Sequence, residues 1–263
     1  CIRDSSSGMC LLVFAWKIRS DIPLILAGNR DEFHHRPAAA AEWWNEPNGI
    51  LAGRDLQAGG SWLGVSRGGR FAVVTNYREP AVDTSGRRSR GELVVDALSS
   101  TGSIVDWLDG LKIRSDEYGG FNLIVGDRDQ VHYETNRGEG RRDLAPGIYG
   151  LSNHRLDTPW PKVAAARGRL EATLENPQVT SAPLFQCLAN RSRAPDGDLP
   201  DTGVPLEWER VLSATFIVGS EYGTRASTVV LMGADGRIDF EERRFAPDGC
   251  GDGESRFSFA ARA

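Results

Sequence analysis

The sequence predicts an α+β domain of antiparallel sheets with segregated helices. Its elements come in the order strands, helices, strands, helices, strands, without the regular alternation of a parallel βαβ sheet. No GxGxxG or P-loop opens a helix. The 263 residues, 40% hydrophobic and 25% charged, suit one layered domain with its own core.

The first strands are expected at Cys10–Lys17 and Pro23–Ala27, two apolar runs separated by the polar turn Arg19-Ser20-Asp21. Ile50–Ala52, Ser61–Ser66 and Phe71–Thr75 follow, punctuated by Gly59-Gly60 and by Gly68-Gly69, the second pair marking a hairpin. Gly91–Ser99 and Ile104–Leu111 carry apolar residues at helical spacing. Strands resume at Phe121–Gly126, Val131–Glu134 and Ile148–Leu151. Trp160–Leu174 and Pro183–Asn190 read as helices, the first with Thr158 as its cap and a proline near its first turn. Ser192–Pro205 reads as a loop. Ala214–Val218, Arg225–Met232 and Arg237–Phe245 read as closing strands. The Gly-, Ser- and Asp-rich residues 247–263 are expected to form a flexible tail. Residues 10–246 thus make a single domain, and residues 1–9 an extension: an upstream addition, a mis-assigned start or a short pro-segment.

The bulk numbers exclude several functions. A net charge of -5 gives no concentrated basic face for nucleic acid. No apolar run approaches the ~20 residues of a membrane helix, so no integral membrane segment is expected. Cys1, Cys10, Cys187 and Cys250 lie far apart without CxxC spacing, which predicts neither a zinc site nor a disulfide framework and suits the reducing cytoplasm. His34, His35, His132 and His154 show no HxxxH or HxH pair, so no metal site is predicted, although one histidine suffices as an axial ligand to haem.

Cys10 has the sharpest chemistry. With Met9 removed it becomes amino-terminal, and its α-amine (pKa about 7.7–8.0) is a general base on the same residue as the thiol (about 8.5). The competing reading is a small buried hydrophobe that opens a strand. Asn29-Arg30-Asp31-Glu32 follows an apolar strand and would orient an amine or carboxylate, or would simply mark a solvated loop. Asn76 and Asn153 each follow an apolar segment, where an amide donates into an oxyanion hole or makes a local turn. Arg225, before a late strand, would clamp a carboxylate, lower the thiol pKa, or sit as a surface charge.

These residues resemble the NRDE family, the family of transport and Golgi organisation protein two. The resemblance rests on Met9-Cys10-Leu11-Leu12, Asn29-Arg30-Asp31-Glu32, Gly53-Arg54-Asp55, Gly59-Gly60-Ser61-Trp62-Leu63-Gly64, Thr75-Asn76-Tyr77-Arg78 and Tyr222-Gly223-Thr224-Arg225. It implies a four-layer αββα sandwich of two mostly antiparallel sheets, as in the amino-terminal-nucleophile hydrolases. It also implies catalytic roles for Cys10 as nucleophile, Asp31 orienting its amine with Arg30 beside it, Asn76 and Asn153 at the oxyanion, and Arg225 near the thiol. Asn29, Trp62, Tyr77 and His154 are then substrate-binding. A role in haem or lipid handling has also been proposed for the family.

Two functions follow. The first is an amidohydrolase or acyltransferase of the cysteine type, acting on C–N bonds other than peptide bonds and requiring no cofactor. The second is a non-catalytic carrier of haem or a lipid such as an acyl-CoA, with Trp43, Trp44 and Trp62 as apolar walls and His34 or His154 as the haem ligand. Either way the partner is a small molecule. A third option is an interaction protein on an inactive hydrolase fold, favoured if Cys10 is not amino-terminal in the mature chain.

Overall fold

The computed structural model describes residues 9–47, 49–79 and 86–262; residues 1–8 of the expected extension at residues 1–9, and the side chains of Met9 and Cys10, lie outside that description. The strands are β1 Met9–Trp16, β2 Leu24–Phe33, β3 Ala38–Trp43, β4 Ile50–Asp55, β5 Leu63–Ser66, β6 Phe71–Asn76, β7 Phe121–Gly126, β8 Val131–Thr135, β9 Arg142–Asp143, β10 Gly147–Leu151, β11 Tyr222–Met232, β12 Arg237–Phe245 and β13 Gly251–Ala260. The helices are α1 Gly91–Ser99, α2 Ile104–Arg114, α3 Pro161–Leu174, α4 Ser181–Leu188 and α5 Leu206–Leu212.

Two sheets form, ordered β10-β1-β2-β11-β12-β13 and β3-β4-β5-β6-β7-β8-β9. Every ladder between these strands is antiparallel. Period-two alternation decides the layers. Leu12, Phe14 and Trp16 of β1 meet Leu51, Val65, Phe71 and Val73 of the other sheet in one buried core. Leu11, Val13 and Ala15 point the opposite way, onto Val163, Ala166 and Leu170 of α3 and Leu184 and Leu188 of α4. On the second sheet Ala72 and Val74 pack under α1 and α2 through Leu93, Ala97, Leu108 and Leu111. The result is the expected αββα sandwich.

Four local expectations are corrected. β2 does not end at Ala27 but runs through Asn29-Arg30-Asp31-Glu32 to Phe33, with all four of those residues buried. Ala214–Val218 is not a strand. Phe216 N–H bonds Asn190 O and Ile217 N–H bonds Thr224 Oγ1, so loop and side-chain acceptors replace a ladder. Residues 247–263 do not fray as a whole: β13 pairs along β12, and Phe257 and Phe259 on alternate positions pack against the inter-sheet core. Thr158 does not cap α3, because its hydroxyl bonds Arg155 O and the helix starts at Pro161 after Trp160. The alanine-rich β3 and the short α5 carried too weak a pattern to be expected. No helix is long and apolar enough to cross a membrane, among the described residues.

Candidate functional site

The alternation of β2 splits the Asn29–Glu32 segment between two layers. Leu24 and Leu26 lie in the inter-sheet core and Ile25 and Ala27 in the helix-side core. Arg30 and Glu32 therefore continue the inter-sheet face, and Asn29 and Asp31 the face toward α3 and α4.

On the helix side, Asn29 is fully engaged. Its amide donates to Leu188 O (3.0 Å) and Thr215 O (2.8 Å), and its oxygen accepts from the Ser227 hydroxyl (2.6 Å). Asp31 has no exposed surface. Its Oδ1 accepts from Thr224 Oγ1 at 2.7 Å, while Oδ2 has no hydrogen-bond partner among the described residues. Burial pushes its pKa up to about 6, opposed by the positive charge of buried Lys162 on α3 and by the Thr224 bond. The β1–β2 register places Met9 opposite Asp31 and Cys10 opposite Arg30.

On the inter-sheet side the guanidinium of Arg30 stacks on Trp62 (4.4 Å) and pairs with Glu32 (3.5 Å). Glu32 continues to Arg36 (3.7 Å), and Arg36 to Asp55 (2.8 Å). Asp55 in turn accepts from the backbone N–H groups of Gln57 and Ala58, fixing the loop that leads to Gly59-Gly60. This chain of charges forms one wall of a cleft of about 280 Å³. Trp62, Val74, Asn76, Gly119 and the segment from Arg87 to Gly91 at the start of α1 line it as well.

Gly60 sets that geometry. A β-carbon there would lie 2.4 Å from the backbone of Gly91, and Ser61 N–H donates to Gly91 O at 3.1 Å, so loop and helix start touch. Gly60→Ala is expected to cost about 1–3 kcal/mol, because backbone cannot yield cheaply. Gly110→Ala, a helical glycine with open space, should be neutral or stabilising. Urea denaturation of both variants checks this; equal midpoints would refute the role of the contact.

Asn76 and Asn153 are brought together: Asn153 Nδ2 donates to Asn76 O at 3.2 Å, and Arg78 N–H donates to Asn153 O at 2.6 Å. Asn76 lines the cleft, whereas Asn153 does not and meets it through the Asn76 carbonyl. Arg225 Nη1 is engaged by the carbonyls of Phe33, His34 and Arg36, clamping the end of β2, and burial and the charge of Arg30 lower its pKa. The rings of Tyr77 and His154 lie tilted against each other (5.1 Å), with His154 against Trp160 (5.8 Å); neither Tyr77 nor His154 lines the cleft. Burial and nearby arginines lower the pKa of His154. No group of three or more potential metal ligands occurs among the described residues.

Sequence reasoning missed Arg36, Arg87 and Arg90, which line the cleft, and Glu242. Glu242 is buried behind Trp62 with Oε1 on Ala41 N–H (2.9 Å), and burial raises its pKa. Asp55 sits in a recognised motif but had no role assigned. No sequence signal marks the others, since their positions depend on which loops meet.

The solved structures similar to this chain include a Caenorhabditis elegans ortholog of N-acylethanolamine-hydrolyzing acid amidase (13% identity, TM-score 0.49, covering 84% of this chain and 92% of that one). A conjugated bile acid hydrolase mutant from Clostridium perfringens is also similar (10% identity, TM-score 0.45, 96% and 92% covered). In sequence the chain is 37% identical over 256 residues to the Transport and Golgi organization protein 2 homolog of Bos taurus and 36% to that of Homo sapiens, covering 89% of this chain and 92% of each relative. The family model for Transport and Golgi organisation 2 matches residues 9–247. With the motifs in order along nearly the whole chain, the protein belongs to the Transport and Golgi organisation 2 family.

Proposed function

We propose that the protein is an amidohydrolase or acyltransferase whose nucleophile is Cys10, once Cys10 is the amino-terminal residue. One observation carries the reading: the fully buried Asp31 carboxyl has one open oxygen and lies at the register of Met9 and Cys10. A carboxyl so desolvated favours a cation at its free oxygen, and the α-ammonium that forms when the amine of Cys10 takes the thiol proton is such a cation, one residue from the position opposite Asp31.

In the reaction the amine takes the thiol proton directly or through one water, and the thiolate attacks the amide carbonyl. Asn76, at the cleft wall, donates to the oxyanion, with Asn153 holding the Asn76 backbone in place. The ammonium returns its proton to the leaving amine as the C–N bond breaks. Water or an acceptor amine then attacks the thioester and releases the acyl group.

Replacing Cys10 by alanine is expected to abolish turnover of an amide panel, and the mass of active protein is expected to begin at Cys10. Turnover undiminished by the substitution, or full activity in a chain that retains Met9, would overturn the reading. The carrier reading for haem is less favoured, because no histidine occurs among the described lining residues of the cleft.

A further inference from the structure

We infer that the cleft selects a ligand carrying an anionic group, a carboxylate or a phosphate, beside its amide. The inference deepens the amidohydrolase reading and rests on it only for where the amide sits.

The chain as a whole is acidic, with a net charge of -5, yet the described lining residues of its cleft include five arginines and two carboxylates. Those carboxylates, Glu32 and Asp55, already have cations, since Arg30 and Arg36 pair with Glu32 and Arg36 with Asp55. Arg88 is neutralised outside the cleft by Glu92 (2.8 Å) and Glu117 (3.2 Å). Arg87 is different. Its Nη1 donates to a neutral carbonyl, Tyr118 O, at 2.9 Å. Glu79, a carboxylate that feels its charge, is already held in a fork by Arg137 at 2.8 and 3.0 Å.

A second observation is independent of that balance. Arg30 is 5% exposed and lines the cleft, and its Nη1 has no hydrogen-bond partner among the described residues. A buried guanidinium N–H without an acceptor is costly, and a ligand oxygen relieves that cost. The start of α1, at Ser89 to Gly91, lines the same cleft and adds the positive end of a nine-residue helix. Trp62, under Arg30, offers an apolar wall to the remainder of the ligand. A volume of about 280 Å³ suits a small molecule.

The test is calorimetric titration of the full chain carrying Cys10→Ala, so that binding is read without turnover. Three probes share one acyl amide: N-octanoylglycine, N-octanoylglycinamide and N-octanoyl-phosphoethanolamine. At least one charged probe is expected to bind tenfold or more tightly than the uncharged one, and which of them does so names carboxylate or phosphate. Arg87→Gln should remove the preference and Arg87→Lys should retain much of it; both change a side chain at the cleft lining, and the lysine variant controls for folding. Equal affinity for all three probes, no binding of any, or a preference that survives Arg87→Gln would overturn the inference. Loss of turnover in Cys10→Ala is a separate result, so failure of the hydrolase reading leaves this one measurable.

Discussion

Replacing Arg78 by methionine is expected to destabilise the protein by about 3–5 kcal/mol, because it strands a buried carboxylate. Arg78 Nη1 and Glu209 Oε2 are 2.7 Å apart, with side chains 5% and 4% exposed. The other Glu209 oxygen accepts from the backbone N–H and hydroxyl of Thr202. The guanidinium also lies over Trp160 at 4.7 Å. The pair ties the 200–212 segment, including α5, to the end of β6. Breaking it leaves Glu209 desolvated and without its cation. Combining Arg78→Met with Glu209→Leu removes both charges and should recover most of the loss, since the attraction of a buried pair scarcely exceeds its desolvation cost. Urea denaturation of the single and double variants measures both. A single-variant loss below about 1 kcal/mol would mean that the pair behaves as an exposed one. The Arg78 backbone N–H that donates to Asn153 O is kept in the methionine variant, so the loss reads the side-chain pair and not that bond.

The second large effect concerns Asp31 and pH. Its folded-state pKa of about 6 lies above its value of 3.8 in the absence of the fold. Between those values the folded state holds the proton and the unfolded state releases it. The stability that Asp31 contributes is therefore fully present below pH 3.8 and lost as pH rises through about 6. At about 1.4 kcal/mol for each unit, the loss is on the order of 3 kcal/mol. Asp31→Asn abolishes this titration. The stability of wild type relative to Asp31→Asn should thus fall by that amount between about pH 4 and pH 7. Taking the difference across pH cancels the fixed cost of burying the amide. A chain that starts at Cys10 should show a smaller fall, because its ammonium stabilises the ionised carboxylate. A pH-independent difference between wild type and Asp31→Asn would show that folding leaves the pKa of the carboxyl unshifted.

Residues within one element were readable from the chain alone. Leu12, Phe14 and Trp16 alternate with Leu11, Val13 and Ala15, so a strand with two buried faces followed from local pattern. The helices expected at Gly91–Ser99 and Ile104–Leu111 followed from helical spacing; the second runs on to Arg114 and is capped by the Ser103 hydroxyl. Asn29 to Glu32 misled because charge usually ends a strand. Here each charged or amide group finds a partner across the sheets or under the helices, and that cannot be known before the partners are placed. The tail misled for the opposite reason: its glycines and serines conceal Phe257 and Phe259, whose period-two spacing suffices once β12 is there to pair with.

What the sequence determined by itself was the type and order of the chemical groups: a cysteine opening the first strand, an arginine and two acids just after the second apolar run, two asparagines after apolar segments, and glycines between the expected strands Ile50–Ala52 and Ser61–Ser66. It also determined an α+β order of antiparallel strands and segregated helices, while the αββα layering was implied by the resemblance those motifs carry. Only the tertiary structure decided which of those groups share a space. It set Asp31 and Asn29 on one face of β2 and Arg30 and Glu32 on the other, turned Arg225 to the carbonyls at the β2 end, and brought Arg87 and the start of α1 against a loop about thirty residues earlier. The physical reason is the range of the forces. Strand pleat and helix pitch act between neighbours in sequence, whereas the burial, ion pairing and shifted acidity of this cleft arise between groups that meet only when the two sheets close on each other.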